Sequence, residues 1–135
     1  MSQPLVSMEV RVIDDSTSVI VVRGELSTIA EGALMDAYLR ACIGAGNMST
    51  GAHVRRSPTA IVFDFTQLKY MYSGGVGLLI ALLIRMRRHN QHMLAFGLSE
   101  HDQRIFAITR LDEVIGVFDE EAEALAEAAR LREGV

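Results

Sequence analysis

Tryptophan is absent, cysteine occurs once and proline twice, and there is no excess of positive charge: the 135 residues carry 13 Lys and Arg against 17 Asp and Glu, a formal net charge of -4. Each shortage excludes something. The lone thiol, Cys42, cannot close an internal disulfide, and beside Leu39, Ala41 and Ile43 it reads as a core side chain; a catalytic thiol would want a histidine partner that the sequence does not single out. The acidic balance gives no electrostatic reason to expect nucleic acid or an anionic membrane as partner. The longest apolar run, Val76 to Ile84, ends at Arg85 and falls short of the roughly 20 residues needed to span a bilayer. Met1 to Pro4 lacks the basic-then-apolar order of a signal peptide, so the expectation is a short tail over 1–4 and a cytoplasmic location.

What is present suits one packed domain. Half the residues are hydrophobic and 22% are charged, which is globular rather than disordered composition. Alternation at Met8, Val10 and Val12, a turn at Asp14-Asp15-Ser16 and the β-branched run Val19 to Val22 predict a β-hairpin, with Gly24 closing its second strand. Apolar residues at three- and four-residue steps from Ile29 to Ala41 predict a helix over Thr28 to Ile43, with Ser27 or Thr28 as cap and Gly44 as stop. Residues 44–58 have no periodicity and read as a long loop. Thr59 to Phe65 forms a nearly continuous apolar strand, central in a sheet and buried on both faces. A helix over Ser73 to His89, a strand over Met93 to Phe96 ended by Gly97, a short helix capped by Ser99, a strand over Val114 to Phe118 and a helix over Glu120 to Leu131 complete the chain. Helices that connect later, parallel strands require an α/β layer architecture, here a mixed sheet with a hairpin start and about four helices.

The segment most suggestive of chemistry is 69-KYMYSGGVGLL-79. Glycines at a helix start can cradle phosphate, but the lysine of the Walker pattern and the spacing of the dinucleotide fingerprint are both missing. Ser73 could be a nucleophile or phosphoacceptor, although a serine before a helix is more often an N-cap, and the flanking residues do not form a hydrolase elbow. His89 and His92 straddle a helix end without a cysteine or carboxylate between them, which gives no metal site, and no cofactor is expected. His53 and His101 stand alone. Arg85, Arg87, Arg88 and His89 complement the helix C-terminal dipole. Asp64, at the end of the central strand, is either a functional carboxylate or the cap of the Thr66-Gln67 turn.

From Gly24-Glu25-Leu26, through Ile61 to Phe65 and the SGGVG turn, to the last helix, residues 5–132 resemble a single STAS domain, the family of sulfate transporters and anti-sigma factor antagonists. The resemblance implies the mixed-sheet STAS fold. It also implies a non-enzymatic binding role: free-standing antagonists bind a serine kinase-like anti-sigma factor and lose that binding when a serine or threonine before the turn glycine is phosphorylated. Aligned on Gly75 and Gly77, Tyr72 stands at the usual aspartate, Ser73 at the first serine and Gly74 at the phosphoacceptor, while Ser27 replaces an aspartate common in antagonists. The expected partner-binding residues are Ser27, Tyr72, Ser73, Gly74, Gly75 and Val76, with Ser73 as a candidate substitute acceptor and the usual switch missing. The implied partner is an anti-sigma factor or serine kinase-like ATPase, with other STAS proteins or self-association as further options. An alternative implication is a scaffold or accessory subunit of a stressosome-like, sensory or lipid-transport complex.

Overall fold

The computed structural model describes residues 5–43 and 58–133, so the expected loop and its Gly44 stop fall almost entirely outside the described residues. The hairpin is present: β1 (Val6–Val12) pairs antiparallel with β2 (Thr17–Leu26). Its turn is fixed by the Asp14 carboxylate, which accepts from the Ser16 N–H at 2.8 Å. Beyond a 3-10 turn (Thr28–Ala30), the chain runs through α1 (Glu31–Ile43), β3 (Ala60–Asp64), β4 (Leu68–Met71), α2 (Ser73–Arg88) and β5 (His92–Phe96). α3 (Glu100–Ile108), a second 3-10 turn (Leu111–Glu113), β6 (Gly116–Phe118) and α4 (Glu121–Arg132) follow.

Five of the six strands of one mixed sheet lie in the order β1-β2-β3-β5-β6, and β4 pairs in parallel with the end of β2 off this path; only the β1 pairing is antiparallel. All five residues of β3 are buried, as expected of a central strand with both faces covered. Alternation sorts the side chains. Ile20, Val22, Leu26, Ile61, Phe63, Met93 and Ala95 point to the larger core under α1, α2 and α3. Val19, Val21, Ala60, Val62, Leu94 and Phe96 point to the other face, where Ala124 and Ala128 of α4 cover them. Full burial of a side chain such as Phe63 or Leu79 contributes about 1.5–3 kcal/mol.

Polar groups close the remaining gaps. The Tyr38 hydroxyl donates to Gln91 Oε1 at 2.7 Å inside the core, and the Arg85 guanidinium lies 5.4 Å above the Tyr38 ring, tying α1 to α2. Cys42 is buried, in agreement with its reading as a core residue. Ser99 accepts from the Asp102 N–H at 3.1 Å and caps α3 as expected. Glu120 and Glu123 form a reciprocal capping box on α4.

Three expectations need correction. The strand β4 was not anticipated, because only Leu68 and Met71 in it face inward and its place is set by pairing with the end of β2. Ile29, expected on the buried stripe of the first helix, is 75% exposed, because residues 28–30 form a 3-10 turn whose phase differs from that of α1. Gly24 does not close β2: it lies inside the strand, where the register to β4 shifts between Gly24 and Glu25.

Gly24 has φ +94, and a Cβ there would lie 2.1 Å from the Leu5 carbonyl oxygen, the acceptor of the Glu25 N–H. Gly24→Ala therefore combines left-handed strain with a backbone collision, and is expected to lose about 2 kcal/mol or more of unfolding free energy. Urea denaturation measures it; an unchanged midpoint would show that the bulge tolerates a side chain.

Candidate functional site

β2 and β4 run parallel and end together, with Leu26 and Met71 as register partners. From these ends the chain departs in two directions. Ser27 leads into the first 3-10 turn, and Tyr72 leads into α2, so the two segments singled out in the sequence are brought side by side. Tyr72 N–H donates to the Leu26 carbonyl at 2.9 Å, pinning the second exit to the first.

The glycines of the turn have a packing reason. A Cβ on Gly75 would stand 2.3 Å from the Leu26 carbonyl oxygen, and one on Gly74 would stand 2.5 Å from Thr28 Cγ2. Only residues without side chains let the first turn of α2 lie this close to the β2 exit. Gly77 is different, since a Cβ there would meet nothing within 4 Å.

Ser73 is not the cap of α2. Tyr72 occupies the cap position in extended conformation (φ -85, ψ 163) and supplies no side-chain hydrogen bond, while Ser73 is already the first helical residue. Ser73 is exposed, and its hydroxyl has no partner among the described residues. Ser27 precedes its 3-10 turn, likewise without a side-chain cap bond. Gly75 and Val76 are buried, so they shape the turn, whereas Tyr72 and Ser73 form its outer surface.

The surroundings of the turn could not be read from local pattern. Tyr70 and Tyr72 contact each other with ring centroids 4.6 Å apart, and His101 of α3 lies 5.7 Å from Tyr70. With Ser73, Val76 and Ile105 these rings line a groove of about 510 Å³ between the start of α2 and α3. Tyr70, His101 and Ile105 are distant in sequence from Ser73 or belong to the unanticipated strand; only the alternating aromatics Tyr70 and Tyr72 were a local signal.

Asp64 has a settled role. Its carboxylate accepts from Thr66 N–H at 2.9 Å and Thr66 Oγ1 at 2.6 Å, which makes it the cap of the turn into β4. His89 follows the last turn of α2 and His92 opens β5. Among the described residues, no group of three His, Cys, Asp or Glu is placed to hold a metal ion.

The Tyr72 hydroxyl donates to Glu25 Oε1 at 3.2 Å, and this hydrogen bond, with the carboxylate charge, holds the phenol above the usual tyrosine value. Protonated Tyr72 keeps the bond; ionisation places a phenolate against a carboxylate. With three tyrosines and no tryptophan, phenolate absorbance is easy to follow. Glu25→Gln is expected to move the Tyr72 ionisation down toward the ordinary tyrosine range, read as the difference between titrations with and without Tyr72→Phe. An unmoved titration would mean that the pair does not form in solution.

The sequence also places the chain among known proteins. Residues 7–124 match the model of the STAS domain. Over 60 residues the chain is 33% identical to the anti-sigma-B factor antagonists of Listeria monocytogenes and Listeria innocua, a match covering 44% of this chain and 53% of each relative. The aligned stretch thus spans about half the length of those curated relatives. The fold is similar to that of the anti-sigma factor antagonist SpoIIAA in its unphosphorylated form (TM-score 0.67, 22% identity, 96% of this chain and 99% of that one). It is equally similar to an anti-sigma factor antagonist from Mycobacterium paratuberculosis (TM-score 0.68, 23% identity, 96% and 99% covered). A sulfate transporter family protein from Wolinella succinogenes shares it at TM-score 0.68 and 16% identity, with 91% and 93% covered. Family match, sheet order and helix placement agree: the chain belongs to the STAS domain family.

Proposed function

We propose that this chain is a non-enzymatic, cytoplasmic regulator of the anti-sigma factor antagonist type, which binds a serine kinase-like anti-sigma factor through the start of α2 and the neighbouring 3-10 turn. The reading is supported by the family match and by the likeness to the Listeria antagonists. The observation that carries it is the outer side of the turn: Tyr72 and Ser73 are exposed and a glycine follows at 74, where the resemblance puts the acceptor hydroxyl. Partner contact falls on Ser27, Tyr72, Ser73 and Gly74, with Gly75 and Val76 setting the backbone beneath them. Without a hydroxyl at 74 the usual phosphorylation does not end binding, and the chain stays in its binding form. Ser73 is the remaining hydroxyl in the first helical turn. A phosphate there would place roughly -1.5 to -2 charges at the helix N-terminus, compatible with the dipole but disruptive to a close-fitting partner.

Among the described residues no helix is long and apolar enough to cross a membrane.

Binding is measured by calorimetry against the kinase-like anti-sigma ATPases encoded in the same genome. Tyr72→Ala is expected to weaken association by about tenfold or more, as loss of an interface aromatic does, while Ile84→Ala on the opposite end of α2 leaves it unchanged. After incubation with the bound ATPase and ATP, the intact mass is expected to show no added phosphate. Phosphate mapped to Ser73 would defeat the constitutive reading. Association only with other STAS chains or a transporter ATPase, and with no anti-sigma protein, would favour the scaffold role instead.

A further inference from the structure

We propose that Thr28 closes position 74 to any side chain, so that the turn is held without an acceptor by steric exclusion as well as by the choice of glycine. The regulatory meaning of this closure rests on the docking role proposed above, but the closure itself does not. Gly74 has no left-handed φ that would call for glycine, and a glycine inside a helix weakens it. Its reason lies across the gap. A Cβ at 74 would stand 2.5 Å from Thr28 Cγ2, nearer than non-bonded carbons approach, and 3.2 Å from the Thr28 nitrogen.

Gly74 and Gly75 are closed in different ways. At 75 the obstacle is the Leu26 carbonyl, which also accepts from Tyr72 N–H, so relief would require breaking the junction between the two strand ends. At 74 the nearest obstacle is a single methyl on an exposed side chain. Removing that methyl leaves 3.5 Å to Thr28 Cβ, an ordinary contact, and 3.2 Å to the Thr28 nitrogen, a tight one that a shift of a few tenths of an ångström would relieve. Thr28 is therefore a specificity-determining residue for the turn: a serine at 74 fits only when residue 28 lacks the Cγ2 methyl. Two residues from different segments, Gly74 within the proposed contact surface and Thr28 beside it, jointly specify the form without an acceptor.

The test is thermal unfolding of Gly74→Ala, Gly74→Ser and Thr28→Ser, singly and combined, with Gly77→Ala as the control in the same helix. Gly74→Ala and Gly74→Ser are each expected to lower Tm by about 4 °C or more. Thr28→Ser alone and Gly77→Ala should cause no comparable loss. Adding Thr28→Ser to either Gly74 variant should recover most of the loss, a non-additivity diagnostic of direct contact. If a Gly74 variant fails to fold, recovery of a folded protein in the combined variant gives the same support. Melting of Gly74→Ala at or above the parent temperature, strictly additive effects, or no recovery in the combined variants would overturn the proposal. No partner enters these measurements, so a failed docking assay leaves their outcome intact.

Discussion

The structure around the turn depends on one close approach: the Leu26 carbonyl at the exit of β2, reached by Tyr72 N–H at 2.9 Å and covered by Gly75. This hydrogen bond ties the end of β4 to the end of β2, and the bare Gly75 lets α2 begin directly over that junction. Buried backbone polar groups must find partners, and here that requirement also fixes the position of a helix. Any side chain at 75 would push α2 away and separate the 3-10 turn from the helix start. The proposed docking surface thus follows from how two parallel strands end, with its outer residues carried on a buried junction.

The same logic explains the division of labour within the six residues named from the sequence. Gly75 and Val76 face inward, with Val76 in the larger core beside Leu26, Met71 and Leu79. Tyr72 and Ser73 face outward, and the Tyr72 hydroxyl is oriented by Glu25 of β2. On the proposed recognition surface, a Tyr72 ring already oriented by Glu25 has less conformational entropy to lose on binding than a free one. The exposed Ile29 on the adjoining 3-10 turn adds apolar surface that the fold leaves uncovered.

Much of this fold was legible because its core strands and helices have strong periods. Val19 to Val22, Ala60 to Phe65 and Leu79 to Met86 are apolar at spacings that admit few alternatives, and the hairpin, the central strand and the long helix followed from them. The features that escaped depend on non-local pairing. β4 owes its existence to the tail of β2, Gly24 to the Leu5 carbonyl, and the exposure of Ile29 to a turn preceding the helix it would otherwise have joined. At the site, SGGVG marked the place but not the cause: the glycines suggested an anion cradle by composition, and the distances to Thr28 and Leu26 give Gly74 and Gly75 a packing role. Ser73 shows the limit of a capping rule, since a shift of one residue turned an expected cap into an exposed helical hydroxyl.

Amide hydrogen exchange, with and without a kinase-like anti-sigma factor that binds this chain, tests the proposed docking surface most directly. Protection on binding should concentrate in residues 25–30 and 69–77, the strand ends, the 3-10 turn and the first turn of α2, while α4 on the far face of the sheet exchanges as before. Protection over α4 with no change at the turn would contradict a docking surface built on the Leu26 junction.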